Sequence, residues 1–462
     1  MSGLAASIAA AKAAAARQLS IALLESDSNL GGRVRSDHTA DGYTLDRGFA
    51  VFIQEYPSSQ QLIDYDSLRL SQFSPGARVK LAGREELARV VDPLRGALQD
   101  WWLALSSPVG TWRDKLRLLP LIYTVLTKSI QDLFYMEEMD TLTCLKKKYH
   151  FSDEFVSSFL APFLEGIYLT DLERQSSRMF HFVFKMFTVG SAALPAGGMQ
   201  AVADQLGDKA AGLGVHIHCG KSAYSIQQKK QDGTFIVDVK CEEGISKYHA
   251  KSIVIATTQQ VATELLSNNI LSQSLKKPIS PLSQRTVACL YYALPSPAPL
   301  MEPILILNGE GAQYRNNKPY PINNICFPSV VQKTYAPQGY ELCSVSILEK
   351  AMHDYDGDYA ALDRDVRRQL AVWFPDCAAD VMDESVWVQK GLYVIPYAQP
   401  SHFKEEGCAN VHGGRDCNMF CGISLPEGMF VCGDYVATST LNGALESGVN
   451  AGIAAATYLT HI

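Results

Sequence analysis

The residues best suited to chemistry near the start of the chain are an acid, two adjacent glycines and an arginine: Glu25, Gly31, Gly32 and Arg33. A short apolar run, Leu19 to Leu24, precedes the acid and predicts a buried parallel strand. An acid at the end of such a strand can accept hydrogen bonds from a ribose hydroxyl. Adjacent glycines let the backbone approach a phosphate, and an arginine there balances its charge. The spacing predicts a nucleotide site rather than a polar turn with a surface arginine.

A second group of this kind lies near the other end of the chain. A predicted strand from Met429 to Cys432 ends in Gly433 and Asp434, and a loop then leads into a helix that begins near Asn442. Small residues allow the start of that helix to approach a ligand, and its dipole stabilises negative charge. We expect the two ends of the chain to converge on one ligand.

These two segments resemble the flavin-containing amine oxidoreductase superfamily. The matching motifs are Glu-x5-Gly-Gly-Arg from Glu25 and the closing Gly-Asp and Asn-Gly-Ala. The superfamily includes amine oxidases, protoporphyrinogen oxidases and enzymes of the phytoene desaturase and carotenoid isomerase type. The resemblance implies an FAD-dependent oxidoreductase of α/β class, with a Rossmann-type FAD-binding domain interleaved with an α+β substrate domain.

The resemblance also divides the chain into segments. The predicted FAD-binding domain is discontinuous and comprises residues 1–75, 195–262 and 425–462. The predicted substrate domain comprises residues 76–194 and 263–424.

The resemblance further implies roles for individual residues. Glu25 would hold the adenosine ribose, Gly32 and Arg33 would lie at the pyrophosphate, and Asp434 would contact the ribityl and phosphate region. The amide of Leu441 would face the pyrimidine edge. The full set of implied FAD contacts is Gly3, Glu25, Gly31, Gly32, Arg33, Gly48, Phe49, Ala223, Gly433, Asp434, Leu441 and Asn442. No catalytic acid or base is assigned.

The opening residues depart from the family pattern. Gly3 matches the third glycine of Gly-x-Gly-x-x-Gly, and its distance from Glu25 suits the expected gap of about 20 residues. The first two glycines and the first strand are missing. Either the chain is truncated, which the register of Gly3 favours, or its alanine-rich opening is a transit peptide. A chain without this strand is expected to bind FAD poorly or to fold poorly.

The first part of the substrate domain carries an amphipathic, aromatic and basic segment that includes Trp112, Leu116 and Arg117, with Pro120 expected to kink or split its helix. A core-facing helix pair is the favoured interpretation. The alternative is a peripheral membrane contact that admits a lipid-soluble substrate.

The substrate is predicted from the closing motif. Amine oxidases of this superfamily place a cage tyrosine three residues before the Gly-Ala pair, where this chain has Thr440. The string from Thr440 to Gly448 is closer to the desaturase and isomerase branch, which predicts desaturation, oxidation or isomerisation of a small hydrophobic substrate of isoprenoid or carotenoid type. Two alternatives remain: an amine oxidase with a different cage, and a non-catalytic escort that resembles Rab GDP-dissociation inhibitors. Arg33 argues against the escort, because that arginine is replaced in those proteins.

Composition and residue spacing bear on the possible partners, the cellular compartment and metal binding. A net charge of −7 argues against nucleic acid as a partner, and no apolar run is long enough to predict a membrane-spanning helix. The eleven cysteines are scattered, which is typical of a reducing compartment such as the cytoplasm or a plastid. No metal site is predicted, because two groups of candidate ligands lack a suitable set or spacing. These candidates are His216 and His218 on a strand, and His402, Cys408, His412, Cys417 and Cys421 in a long loop. The oligomeric state is left open.

Overall fold

The computed structural model describes residues 1–13, 19–48, 51–91, 106–229, 231–267, 285–311, 314–315, 318–400, 417–420 and 423–461. Within this part of the chain, no helix combines the length and the apolar character that crossing a bilayer requires.

The helices are numbered here in chain order. They are α1 (Ser2–Ala13), α2 (Pro57–Leu62), α3 (Tyr65–Leu68), α4 (Trp112–Thr127), α5 (Ile130–Phe134), α6 (Thr141–Thr143), α7 (Asp153–Phe155), α8 (Ala161–Tyr168), α9 (Ser177–Val189), α10 (Gln200–Gly212), α11 (Gln259–Ser267), α12 (Pro328–Val331), α13 (Glu349–Met352), α14 (Tyr359–Trp373), α15 (Ala378–Met382) and α16 (Leu441–Thr460). Single π-helical turns, Cys144–Lys148 and Val156–Leu160, follow α6 and α7.

The strands are numbered in the same way. They are β1 (Ala22–Leu24), β2 (Ser36–His38), β3 (Thr44–Asp46), β4 (Phe52–Ile53), β5 (Ser71–Gln72), β6 (Ala77–Leu81), β7 (Leu87–Val90), β8 (Ala192–Leu194), β9 (His216–His218), β10 (Ser222–Gln228), β11 (Phe235–Cys241), β12 (Gly244–Ala250), β13 (Ile253–Ile255), β14 (Val287–Pro295), β15 (Ile306–Gly309), β16 (Tyr314–Arg315), β17 (Lys318–Pro319), β18 (Ile322–Cys326), β19 (Tyr340–Leu348), β20 (Val388–Ile395), β21 (Met419–Phe420), β22 (Ile423–Ser424) and β23 (Met429–Val431).

Two separate pairs of parallel strands lie in the segments predicted to form the FAD-binding domain. Strand β1 pairs with β9, and β13 pairs with β23, with no strand of the described chain between the two pairs. Helix α1 bridges them, since a Cβ on Gly3 would lie 3.4 Å from Leu23 Cδ1 and 3.2 Å from Ala256 Cβ. The parallel α/β architecture is confirmed.

Strand β13 is only three residues long, and only Ile255 is fully buried. The physical reason is that β13 pairs with a strand on one side only within the described residues. Its other edge receives a weak hydrogen bond from the hydroxyl of Ser2 to the carbonyl of Ala256, at 3.4 Å.

A seven-stranded sheet forms the second part of the molecule, with strand order β20-β14-β19-β18-β15-β6-β7. All neighbours are antiparallel except β15 and β6, so the sheet is mostly antiparallel. Strands β6 and β7 come from the first predicted substrate segment and the others from the second. The domain boundaries themselves stay a prediction.

A helical layer from α4 to α9 packs beside this sheet around a core rich in aromatic side chains. Phe155, Phe159 and Phe163 follow one another at four-residue spacing, and their rings lie 5.6 and 6.0 Å apart. Pro120 does not split α4, which continues from Trp112 to Thr127. A capping box of Thr111 and Asp114 fixes the start of this helix.

Candidate functional site

The turn after β1 places the first group of predicted residues. Glu25 follows the strand directly, and its carboxylate accepts hydrogen bonds from the amide of Asp27 at 3.0 Å and the hydroxyl of Ser26 at 3.2 Å. These contacts hold the carboxylate at the carboxyl end of a parallel strand. Ligands bind at this end of the strands in open α/β sheets.

The two glycines of the turn have backbone conformations that other residues rarely adopt. Gly31 has φ of +114° and Gly32 has φ of +63°. A Cβ on Gly31 would lie 2.3 Å from the carbonyl oxygen of Val34, so a side chain there would force the turn open. Among the described residues, the amides of Gly32 and Arg33 have no hydrogen-bond partner. Two free amides on such a turn form a concavity suited to an anion.

Arg33 joins the two ends of the chain. Its Nη2 donates to Asp434 Oδ1 at 2.7 Å, and its Nη1 donates to the carbonyl of Ala398 at 2.7 Å. The side chain of Arg33 is 35% exposed and that of Asp434 is 10% exposed, so the ion pair is partly buried. Burial opposes the charge of Arg33, but the carboxylate of Asp434 outweighs it and raises the pKa of the guanidinium. The predicted convergence of these two motifs is present in the structure.

The second motif is fixed by helix α16. The hydroxyl of Ser447 accepts from the amide of Gly433 at 3.0 Å and donates to its carbonyl at 2.9 Å. Thr440 caps the helix by accepting a hydrogen bond from the amide of Gly443 at 3.2 Å. The amides of Leu441 and Asn442 have no partner in the described chain. The helix therefore begins with two free donors and the positive end of its dipole.

A cleft opens beside the ion pair, lined by Arg33, Asp434, Tyr435, Thr258, Gln259, Gln260, Tyr397, Gln399 and Pro400. Several of its buried polar atoms have no hydrogen-bond partner. They are both amide atoms of Gln259, the hydroxyl of Tyr435 and Oε1 of Gln399. Unsatisfied buried polar groups cost about 1–3 kcal/mol each. A polar ligand would satisfy them, so these residues fit a nucleotide cofactor.

Gly3 and Asn442, two of the predicted FAD contacts, are not part of the cleft lining. Gly3 is in the first turn of α1, and electrostatic interactions link the adjacent Met1 nitrogen to Glu25, Arg33 and Asp434. Asn442 uses its side-chain oxygen to accept from the amide of Ser58 at 2.9 Å.

Two further predicted contacts, Gly48 and Ala223, are not part of the cleft lining. Gly48 has φ of +92°, and a Cβ there would meet Ile395 Cδ1 at 2.9 Å. Ala223 is half-buried in β10, opposite Val239. Phe49 lies outside the described residues. The individual FAD contacts stay predictions.

Sequence reasoning missed Gln259, Tyr435 and two buried tyrosines, Tyr56 and Tyr168. Tyr56 hydrogen-bonds to Thr440 through its side chain, and the fully buried hydroxyl of Tyr168 has no partner. Burial raises the pKa of both phenols, so both are neutral. A signal for Gln259 was available, because it follows the carboxyl end of parallel strand β13. No local pattern marks the tyrosines.

The described residues contain no group of three or more side chains placed to hold a metal ion. His218 instead lies 5.9 Å from the ring of Tyr248. Most of the cysteine- and histidine-containing loop, including Cys408 and Cys421, lies outside the described residues.

Comparison with known proteins identifies the family to which this geometry corresponds. The family model for flavin-containing amine oxidoreductase matches residues 1–460. A search of curated protein sequences finds no match.

Solved structures with the same fold include several oxidoreductases. A protein described as a protoporphyrinogen oxidase from Exiguobacterium sp. 255-15 is 16% identical, with 99% of this chain and 97% of that one covered and a TM-score of 0.66. Putrescine oxidase bound to putrescine is 13% identical, with 98% and 96% covered and a TM-score of 0.64. Cyclohexylamine oxidase from Brevibacterium oxydans IH-35A is 13% identical, with 98% and 97% covered and a TM-score of 0.59. At these sequence identities, the similarity to the three solved structures shows the fold alone.

Proposed function

Because this chain belongs to the flavin-containing amine oxidoreductase family and is an FAD-dependent oxidoreductase, we propose that it oxidises a hydrophobic substrate of isoprenoid type. FAD, when bound, accepts two electrons from the substrate. The residues described above fit its binding: Arg33 and the free amides of the glycine turn suit the phosphates, and the start of α16 suits the negative charge of a reduced flavin.

The observation that carries the proposal is the apolar environment of Leu441. This first residue of α16 packs against the aromatic core of the helical layer, as do Val51, Phe163 and Phe187. Phe163 and Phe187 are in edge contact, with ring centroids 5.4 Å apart. An uncharged hydrocarbon can enter such surroundings without the cost of removing a charge from water. An ammonium group has that cost and needs a partner that compensates for it. The structure therefore favours an apolar substrate beside the start of α16.

Amines are the competing substrate class. The folds of putrescine oxidase and cyclohexylamine oxidase are similar to that of this chain. In addition, Tyr56 hydrogen-bonds to Thr440 and interacts electrostatically with Tyr168, and the faces of aromatic rings attract cations. Against this class, both phenols are neutral, so neither supplies the negative charge that would pair with an alkylammonium.

Anaerobic reduction of the bound flavin distinguishes the two classes. We expect a polyene of isoprenoid type to bleach the oxidised flavin spectrum, and putrescine or cyclohexylamine to leave it unchanged. Bleaching by the amines but not by the polyene would overturn the proposed substrate class. Failure of both, with flavin bound at one equivalent, would also contradict the hydrophobic substrate as proposed here.

A separate pair of variants tests the cofactor site itself. Arg33→Gln should weaken FAD binding by about ten- to a hundredfold, because hydrogen bonds to charged groups contribute about 1.5–3 kcal/mol. Arg47→Gln is the matched control, since Arg47 pairs with Asp37 at 2.9 Å on the nearby hairpin and is not part of the cleft lining. Equal FAD affinity in the two variants, measured by titration calorimetry, would contradict a role for Arg33 in binding.

A further inference from the structure

Helix α4 presents large apolar side chains to solvent along one face. These are Trp112, Leu116, Leu119, Tyr123 and Leu126, with exposed fractions between 49% and 70%. Their alternating spacing of four and three residues places them within an arc of about 80° on an α-helix, over a length of about 20 Å. We call this set the α4 stripe. Isolated exposed apolar residues are ordinary, but a continuous row of five marks an interaction surface.

The stripe is a stable surface because the opposite face of α4 is anchored. Leu121 and Val125 are fully buried in the helical layer. The ammonium group of Lys185 on α9 donates to the carbonyl oxygens of Val125 at 2.5 Å and Lys128 at 3.0 Å, and so fixes the end of the helix. The exposure of the stripe therefore follows from how α4 packs. The core-facing interpretation favoured from the sequence holds for one face of this helix only.

The charges beside the stripe are basic. Arg113 and Lys128 are exposed, Arg117 is 38% exposed, and Arg113 lies over the ring of Trp112 at 5.5 Å. The only acid in α4, Asp114, is fully buried, caps the helix and pairs with Arg117 at 3.7 Å. On this helix, a band of positive charge thus flanks apolar and aromatic side chains, with no exposed carboxylate to neutralise it.

We propose that the α4 stripe docks this protein on an anionic membrane surface, with α4 parallel to the plane of the bilayer. Leucine side chains would enter the edge of the acyl region, and Trp112 and Tyr123 would lie at the level of the headgroups, which these residue types favour. The arginines would extend to the lipid phosphates. Docking in this orientation would bring the helical layer, whose core packs against Leu441, to the source of lipid-soluble compounds.

A second copy of this chain is a less suitable occupant. Pairing two α4 stripes would place Arg113, Arg117 and Lys128 of both copies together, with no exposed acid on either helix to offset their repulsion. An anionic lipid surface complements the same charges. Because the whole chain has a net charge of −7, general attraction to such a surface is also excluded, and binding has to arise from this local face.

Flotation with vesicles tests the proposal on the full-length protein. We expect binding to vesicles of phosphatidylcholine with phosphatidylglycerol, and little binding to phosphatidylcholine alone. The double variant Leu119→Glu and Tyr123→Glu should bind the anionic vesicles at least about tenfold more weakly, because each buried apolar side chain contributes roughly that factor. Arg113→Gln should weaken binding by about fivefold, and this contribution should disappear at high salt.

The control variant is Ile245→Glu, which makes the same kind of change at a residue that is 66% exposed on β12, away from α4. It should bind vesicles as the unmodified protein does. Equal binding of both sets of variants would overturn the proposal, as would absence of binding to anionic vesicles. A concentration-dependent dimer that the α4 variants dissociate, without vesicle binding, would instead assign the stripe to a second copy and would also overturn it.

Discussion

The carboxyl group of Glu165, on α8, lies among groups that oppose its ionisation. Burial is the main cause, and the nearby carboxylates of Asp171 and Glu173 add to it, while Lys350 acts in the opposite direction. Together they raise the pKa of Glu165 to about 7. At neutral pH this residue is therefore close to its titration point in the folded protein, whereas in the unfolded chain it is ionised.

The free energy of unfolding should depend on this group in a definite direction. An acid whose pKa is raised by folding holds its proton in the native state between its unfolded value, near 4.5, and about 7. Folding stability therefore falls as pH rises through this window. Glu165→Gln should remove the loss, and should be more stable than the unmodified protein by roughly 1–3 kcal/mol at pH values above 7.

Urea denaturation at about pH 5 and about pH 8 measures the effect. We expect the stabilisation by Glu165→Gln to be small at the acidic pH and to appear at the alkaline pH. Glu137→Gln, at an exposed position of the same helical layer, is the control and should change stability equally at both. A stabilisation by Glu165→Gln that is the same at both pH values would contradict the assigned titration.

At the scale of elements, the close contact of α1 and α16 determines where the first turn of α1 lies. A Cβ on Gly448 would be 2.3 Å from the carbonyl oxygen of Ser2, and one on Gly452 would be 2.1 Å from that of Ala6. The sequence suggested that small residues in this helix serve its approach to the cofactor. For these two glycines, the structure shows that they serve its approach to α1.

Gly448→Ala should therefore displace α1 from α16. We expect a loss of roughly 1–3 kcal/mol in the free energy of unfolding, as for other overpacked sites, together with weaker FAD binding, because the start of α1 lies near Arg33 and Asp434. Gly212→Ala is the matched control. That glycine ends α10 with no atom within 4 Å of a built Cβ, so alanine should be neutral or slightly stabilising there.

Thermal and chemical denaturation of the two variants provides the comparison, with flavin retention measured in parallel. If Gly448→Ala behaved as Gly212→Ala does, the contact between the two helices would be looser than the structure shows. Loss of stability without loss of FAD affinity would mean that α1 can shift while its first turn keeps its place.

The same elements show what sequence can predict and what it cannot. The turns at Gly31, Gly32 and Gly433 could be predicted because glycine readily adopts positive φ, a local backbone property that is set within a few residues. These features depend on neighbours in sequence.

Features that depend on distant neighbours were not predicted. The unsatisfied amide of Gln259 and the hydrogen bond between Tyr56 and Thr440 become visible only when segments more than 100 residues apart are packed together. The two faces of α4 were recognised from the sequence, but which of them is covered depends on where α9 lies. An amphipathic sequence pattern predicts that a helix has an apolar face, but it does not predict which element covers that face.

At the scale of the whole molecule, the buried carboxylate of Asp46 connects parts that are distant in sequence. It accepts hydrogen bonds from the hydroxyl of Ser36 at 2.5 Å, the amide of Met199 at 3.0 Å and the hydroxyl of Tyr335 at 2.8 Å. Its backbone carbonyl accepts from Tyr291 at 2.8 Å. Burial raises its pKa. The β2–β3 hairpin, the start of α10 and the seven-stranded sheet therefore meet at one residue.

Tyr335→Phe removes one of these donors while keeping the ring. We expect a loss of about 1–3 kcal/mol in the free energy of unfolding, because a buried acceptor loses a partner that water cannot replace. Tyr340→Phe is the control: its side chain is 52% exposed, and the change should stay within about 0.5 kcal/mol.

The same variant tests whether the two parts of the molecule unfold together. Release of flavin monitors the nucleotide-binding part, and far-ultraviolet circular dichroism monitors the whole chain. If Asp46 couples the parts, the two transitions should separate in Tyr335→Phe and coincide in Tyr340→Phe, since only the former weakens the connection between them. Coincident transitions in both variants, with equal free energies of unfolding, would show that the hydrogen bond from Tyr335 neither stabilises the fold nor couples the unfolding of its two parts.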